Sequence, residues 1–264
     1  MYLDIIDIRD FYSSLLGRVV ARSVEAAVSA LMPPDPKARV LGFGFATPYL
    51  GRLRGNCERV LAFMPAGQGV LDWPPEGPSV TALVEEDALP LPDQSMDCVL
   101  IVHALEMSPK PLALMAEARR VLTIGGKLIV VVPNRQGAWS RFDISPFGFG
   151  QPYSRGQLRS LFAEAGFEAE AWATALHMPP FSHRSMLAIS GTLDRAGQRT
   201  WPAFSGVICA RATKRNIQGV RVRSRRVLSP ALRPVLQPSG LAGLHRTKAH
   251  AAPLLIDPDK EQTS

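Results

Sequence analysis

The sequence predicts an α/β fold: a doubly wound, mostly parallel sheet of seven strands, with a helical N-terminal cap and a disordered basic C-terminal tail. Three observations predict it. Short apolar runs alternate with helically spaced segments between residues 38 and 215, an order that builds a parallel sheet with helices on both faces. The run Cys98–Val102 (CVLIV) is apolar throughout, as a strand covered on both faces must be. Beyond about Arg215 the periodicity stops, leaving prolines at 230, 234, 238, 253 and 258 among scattered arginines, a composition that cannot bury a core of its own. These shifts divide the chain into 1–37 (cap), 38–215 (α/β domain) and 216–264 (tail).

In chain order, Ile5, Ile8, Phe11, Leu15, Val19, Val24, Val28 and Leu31 recur on one side of a helix, in two pieces around Gly17. Met32-Pro33-Pro34 ends it, since proline cannot continue a helix. Arg39–Leu50 (RVLGFGFATPYL) reads as a buried strand, a glycine-bearing turn and a helix start. Such a turn brings backbone N–H groups to the carboxyl edge of a sheet, where nucleotide-like ligands sit. Arg59–Phe63 and Val80–Val84 are the second and third strands, and Cys98–Val102 is the fourth. Met107–Leu122 is a helix closed by Thr123-Ile124-Gly125-Gly126, before a fifth strand, Lys127–Val132. Residues 133–152 form a long connection, of the kind that carries function or moves. A helix from Arg155 to Ala165 stops at Gly166, and Phe167–Thr174 and Gly206–Ala210 close the sheet around a helix near 184–196. Val220–Leu228 alternates weakly, as a short strand would.

Composition excludes several classes. The net charge of +7 is not spread evenly: residues 211–264 hold 11 of the 30 Lys/Arg and only three of the 23 Asp/Glu. The rest of the chain is close to neutral. The stretch 211–250 therefore suits a nucleic acid or another anionic surface, although it has no aromatic residue to stack on bases; a merely solvated tail reads equally well. Cys57, Cys98 and Cys209 lie far apart without a CxxC spacing, which argues against zinc, any other metal centre or a disulfide framework and suits a reducing cytoplasm. Asp4, Asp7 and Asp10 argue against a secretory leader. No apolar run reaches the length of a membrane span. The oligomeric state is not written in the sequence.

Four stretches together resemble the class I S-adenosylmethionine-dependent methyltransferases, in particular small-molecule enzymes of the methyltransferase type 11 kind. They are RVLGFGFATPYL, ALVEEDALPLPDQSMDCVLIVHALE, EARRVLTIGGKLIVVVPN and YSRGQLRSLFAEAGF, in family order over roughly residues 38–175. The resemblance implies methyl transfer from S-adenosylmethionine to an unidentified acceptor, an in-line displacement helped mainly by alignment. It also implies where the cofactor would lie. Gly44 falls on the first glycine of the loop, Ala46 and Pro48 on the second and third. Gly42 stands where the family has an acid near the cofactor's amino group, and Met64 where an acid grips the ribose. Glu85 aligns with the adenine-contacting acid, with Glu86 or Asp87 as the near alternatives if the turn slips. Two acids of three are thus replaced, contacts that together carry about 3–6 kcal/mol. A descendant that keeps the sheet for binding without catalysis is the alternative reading, as is an RNA-associated methyltransferase that recruits substrate through its tail.

His103 directly follows the fourth strand, at the ligand edge. The resemblance places it in the lining of the cofactor pocket, and a general base is the second role open to it. Arg135, Trp139 and Arg141 leave the same edge after the fifth strand and would form a substrate wall, the arginines receiving an anionic group. The plainer reading is a loop packing its own aromatics onto the core.

Overall fold

The computed structural model of the chain describes residues 2–32, 35–180 and 204–215, together with Gly197. The helix expected near 184–196, the weak strand 220–228 and the basic tail with its anionic partner lie outside the described residues.

Two helices open the chain. The Asp4 carboxylate accepts from Ile6 N at 2.7 Å and starts α1 (Ile5–Ser13), which buries Ile5, Ile8 and Tyr12. The break before α2 (Leu15–Leu31) falls at Ser14, three residues earlier than the glycine suggests. Ser14 turns extended, donates its N–H to Phe11 O at 3.0 Å and accepts from Gly17 N at 2.9 Å through Oγ. One serine thus stops one helix and caps the next. Gly17 is helical; its role is steric, because a Cβ there would overlap the Phe11 carbonyl where the helices meet. α2 buries Val20, Val24, Val28 and Leu31 and is tied to the sheet by Leu176 N donating to Ser23 Oγ and Arg211 Nη1 donating to Leu31 O.

The sheet comprises β1 (Arg39–Gly44), β2 (Arg59–Pro65), β3 (Thr81–Val84), β4 (Met96–Val102), β5 (Leu122–Pro133), β6 (Phe167–Ala175) and β7 (Val207–Lys214). Their order is β3-β2-β1-β4-β5-β7-β6, with β7 antiparallel to both neighbours and the remaining pairings parallel. This is the seven-stranded mixed sheet expected. Alternate residues feed two cores. Val40, Met64, Leu100, Val102 and Val131 meet α1 and α2 on one face. Leu41, Phe43, Val99, Ile101 and Val130 meet α4 (Pro111–Val121) and α5 (Arg155–Glu164) on the other. α5 starts in a capping box, Ser154 with Gln157.

β5 begins earlier than the sequence indicates. Leu122 is already extended and pairs with Met96; the chain then bulges through Gly125 and Gly126 and resumes at Cys98–Lys127. The Thr123–Gly126 segment is therefore part of the strand and not a helix cap. Between β3 and β4 the turn is held by Arg120, which donates to the carbonyls of Leu89 and Leu91 and to the carboxylates of Asp93 and Glu117. At the amino edge Arg39 pairs with Asp97 at 2.9 Å. No helix among the described residues is long and apolar enough to cross a membrane.

Candidate functional site

The parallel strands end together: Gly44 lies beside Val102, and Pro65 beside Val84. Past this edge the chain makes its glycine turn. Gly44 has φ of +79°, and a Cβ there would overlap Val102 O; Phe45 N donates to that same carbonyl at 2.9 Å. The turn is thereby clamped onto β4. It leads into α3 (Thr47–Leu50), a single helical turn with Ala46 as its buried N-cap and Pro48 inside it. Gly42 is explained by that turn: a Cβ on it would sit 2.5 Å from Leu50 Cδ1 and 2.8 Å from Ala46 Cβ. Leu50 fills the space an acidic side chain would need.

Met64 is fully buried at the end of β2, its sulfur accepting from Leu71 N at 3.3 Å. Four residues on, Gln68 is buried and donates Nε2 to His103 O at 2.8 Å, while its own carbonyl accepts from Ile5 N. Its side-chain oxygen has no donor. After β3 the three acids separate. Glu85 is exposed. Glu86 turns inward, where the Tyr2 hydroxyl and Ser108 Oγ donate to it. Asp87 is exposed and pairs with Lys110 at 2.8 Å, which holds its carboxyl below the usual range.

His103 is completely buried with φ of +51°, a backbone conformation that costs a non-glycine residue about 1 kcal/mol or more. Its Nε2 lies 2.9 Å from the Tyr12 hydroxyl and its Nδ1 3.3 Å from Glu106 Oε1. The Phe147 ring lies 4.5 Å away, centroid to centroid. Both Glu106 carboxylate oxygens are buried without a hydrogen-bond donor. Tyr12 also meets the Tyr49 hydroxyl at 2.9 Å and stacks on Phe45. Burial keeps both phenols protonated, raising Tyr12 and Tyr49 well above the ordinary tyrosine value.

The residues of the expected substrate wall part company. Trp139 is buried in the core, its Nε1 donating to Met178 O at 2.7 Å. Arg135 and Arg141 are exposed. Gly44, Ala46, Met64, Glu86 and His103 come together around one edge, and Gln68, Glu106 and Tyr12 join them without having been singled out in the sequence. Their signal was faint: a glutamine and a glutamate in loops, and a tyrosine on a helix face. A cavity of about 870 Å³ opens at the opposite, amino edge, between Asp97, Cys98, Thr123 and Cys57. Among the described residues no group of His, Cys, Asp and Glu is placed to hold a metal ion.

Residues 42–130, which contain this edge, match the methyltransferase-domain family. Over that stretch the chain is similar to methyltransferase domains. It is 27% identical over 181 residues to an uncharacterized protein of Mycobacterium tuberculosis, a match covering 64% of this chain and 60% of that protein. The chain therefore spans less than two thirds of that relative's length. Among solved structures, an S-adenosylmethionine-dependent methyltransferase from Thermotoga maritima superposes with a TM-score of 0.55 at 19% identity, over 80% of this chain and 96% of the other. The [4+2]-cyclase SpnF superposes with a TM-score of 0.51 at 22% identity, over 74% and 80%. These likenesses establish the fold.

Proposed function

We propose that the chain binds S-adenosylmethionine at the carboxyl edge of β1–β4 and transfers its methyl group to a small acceptor. The observation that carries the reading is the surplus of buried acceptors at that edge. Gln68 Oε1 has no donor, and Glu86 is held only by hydroxyls. The cofactor brings the complementary groups: an ammonium, two ribose hydroxyls and an adenine amine. The residues present therefore fit it, even with Gly42 and Met64 in place of acids. The Gly44 turn and Gln68 would hold its amino-acid and ribose end, and Glu86 or Asp87 the base. When bound, the group supplies an electrophilic methyl on a sulfonium. What the chain does is bind, orient and exclude water.

Calorimetry with S-adenosylmethionine and S-adenosylhomocysteine on the full chain tests this. Both should bind, and Glu86→Gln should weaken binding by about 1.5–3 kcal/mol, roughly ten- to a hundredfold. No heat and no thermal shift at millimolar ligand would overturn the reading. That outcome would favour a non-catalytic descendant, for which the specific support is that Tyr2 and Tyr12 of the chain's own N-terminus engage Glu86 and His103.

A further inference from the structure

We propose that His103 and Glu106 form the proton-accepting site for the methyl acceptor, and that this acceptor is an aromatic alcohol whose place is held here by the phenol of Tyr12. The inference deepens the methyltransferase reading and rests on it for the transfer step, though not for the recognition of the phenol.

The chemistry of the pair sets the proton positions. A carboxylate only accepts, so the imidazole proton belongs on Nδ1, facing Glu106 Oε1 at 3.3 Å, and Nε2 is left as an acceptor. Tyr12 then donates its hydroxyl to Nε2 at 2.9 Å, and Tyr49 donates to Tyr12 at 2.9 Å. A buried carboxylate whose nearest donor, His103 Nδ1 at 3.3 Å, makes no hydrogen bond to it is costly as it stands. It becomes well placed once the neighbouring imidazole takes a second proton. The charged and titratable groups described around the ring are Tyr12 on α1, Tyr49 on α3 and Glu106 after β4, with Tyr2, Glu86 and Tyr153 beyond them. No described cation competes for Glu106.

The surroundings fit a ring. The Tyr12 ring stacks on Phe45 with centroids 5.2 Å apart and meets Tyr49 edge-on at 6.4 Å, while Phe147 closes the His103 side. A flat aromatic body with one hydroxyl at its end is what this box recognises. Its present occupant sits on the short first helix, which displacement by the acceptor would have to lift. α1 is one short helix joined to α2 through the extended Ser14, and its exposed face carries Ile6. With the acceptor in place of Tyr12, the hydroxyl proton would pass to His103 Nε2 as the acceptor oxygen forms its bond to the methyl carbon. When bound, S-adenosylmethionine would supply the methyl carbon, the electron pair of its carbon–sulfur bond staying on sulfur, so that the products would be the aryl methyl ether and S-adenosylhomocysteine, with Glu106 facing the imidazolium. His103 is then a catalytic residue and Glu106 a positioning residue.

The test keeps the phenol site separate from the cofactor. Tyr12→Ala removes the resident phenol. By calorimetry without cofactor, this variant should bind p-cresol roughly tenfold more tightly than toluene, and the preference should vanish in Tyr12→Ala/His103→Leu. Equal affinity for the two rings, or a preference that outlives the imidazole, would overturn the assignment. Should the truncated variant not fold, the wild-type chain carries the test. Saturating p-cresol should speed hydrogen exchange across α1 and leave β4 unchanged; an unchanged α1 would overturn the proposal. With S-adenosylmethionine added, wild type should convert p-cresol to 4-methylanisole, and His103→Gln should slow this about a hundredfold or more with S-adenosylhomocysteine affinity retained. Glu106→Gln should lower kcat and leave KM for cresol unchanged, and Glu106→Asp should recover part of the rate. If S-adenosylhomocysteine binds and no ether forms, the phenol assignment fails and the methyltransferase reading stands. If the cresol preference holds and S-adenosylhomocysteine does not bind, the reading fails and the phenol site stands.

Discussion

At Gly44 two demands coincide: a positive φ of 79° and a carbonyl, Val102 O, in the place a Cβ would take. Gly44→Ala must therefore both strain the backbone and push β1 off β4. The expected loss is about 2–4 kcal/mol, read from urea unfolding; a loss within ordinary surface variation would mean that the turn is not clamped as described. Gly42 is a different case, filled by Leu50 and not by any ligand. The two glycines look alike in RVLGFGFATPYL, and nothing local tells that one is conformational and the other steric. The same limit applies after β3, where Glu85, Glu86 and Asp87 follow one another. Which acid points inward depends on the pitch of a turn set by Ser108 and Tyr2, residues 22 and 84 positions away from Glu86. Glu106 was invisible for the opposite reason. Its meaning comes only from the imidazole beside it and from donors that are missing.

Elements were more legible than side chains, because period and punctuation are local. The strands of the sheet and α5 with its Ser154 cap follow directly from alternation, helical spacing and Gly166. The failures occur where two local signals compete. A glycine at 17 suggests a break, yet Ser14 makes it, since serine can end one helix and cap the next while Gly17 only needs to be small. Likewise Gly125-Gly126 suggests a helix stop, but Leu122 has already been recruited by Met96 across the sheet. The joint at Ser14 can be tested by itself. Ser14→Ala removes the acceptor for Gly17 N and should cost about 1 kcal/mol. It should also speed exchange across α1 before α2, because α1 holds fewer buried residues. Equal exchange in the two helices would show that they move as one.

Across the molecule the two edges of the sheet are built differently. The carboxyl edge keeps polar groups uncommitted around Gln68, His103 and Glu106. The amino edge and flanks are tied by matched charges, Arg39 with Asp97, Arg120 with Glu117, and Lys127 and Arg211 with Glu170, which also accepts from the Thr213 hydroxyl. All three carboxyls are held below their ordinary values, Asp97 first by its hydrogen bond from Arg39, Glu117 by that from Arg120 and Glu170 by that from Thr213. A carboxyl depressed in the folded state binds fewer protons than the same carboxyl unfolded, so acid favours unfolding. The stabilisation is complete above the ordinary values of 4.5 for the glutamates and 3.8 for Asp97, and is lost as the pH falls through the lower folded values. Urea unfolding should therefore be nearly flat from neutral pH down to about 5 and then weaken steeply. Asp97→Asn should lower stability at neutral pH and make the acid limb shallower, because one of the protons that drives it is no longer taken up. The substitution should leave S-adenosylhomocysteine affinity unchanged, since Asp97 stands at the edge remote from Gly44 and His103. An acid limb as steep in Asp97→Asn as in wild type would refute the brace, and a loss of ligand affinity would show that the two edges are coupled through β1 and β4.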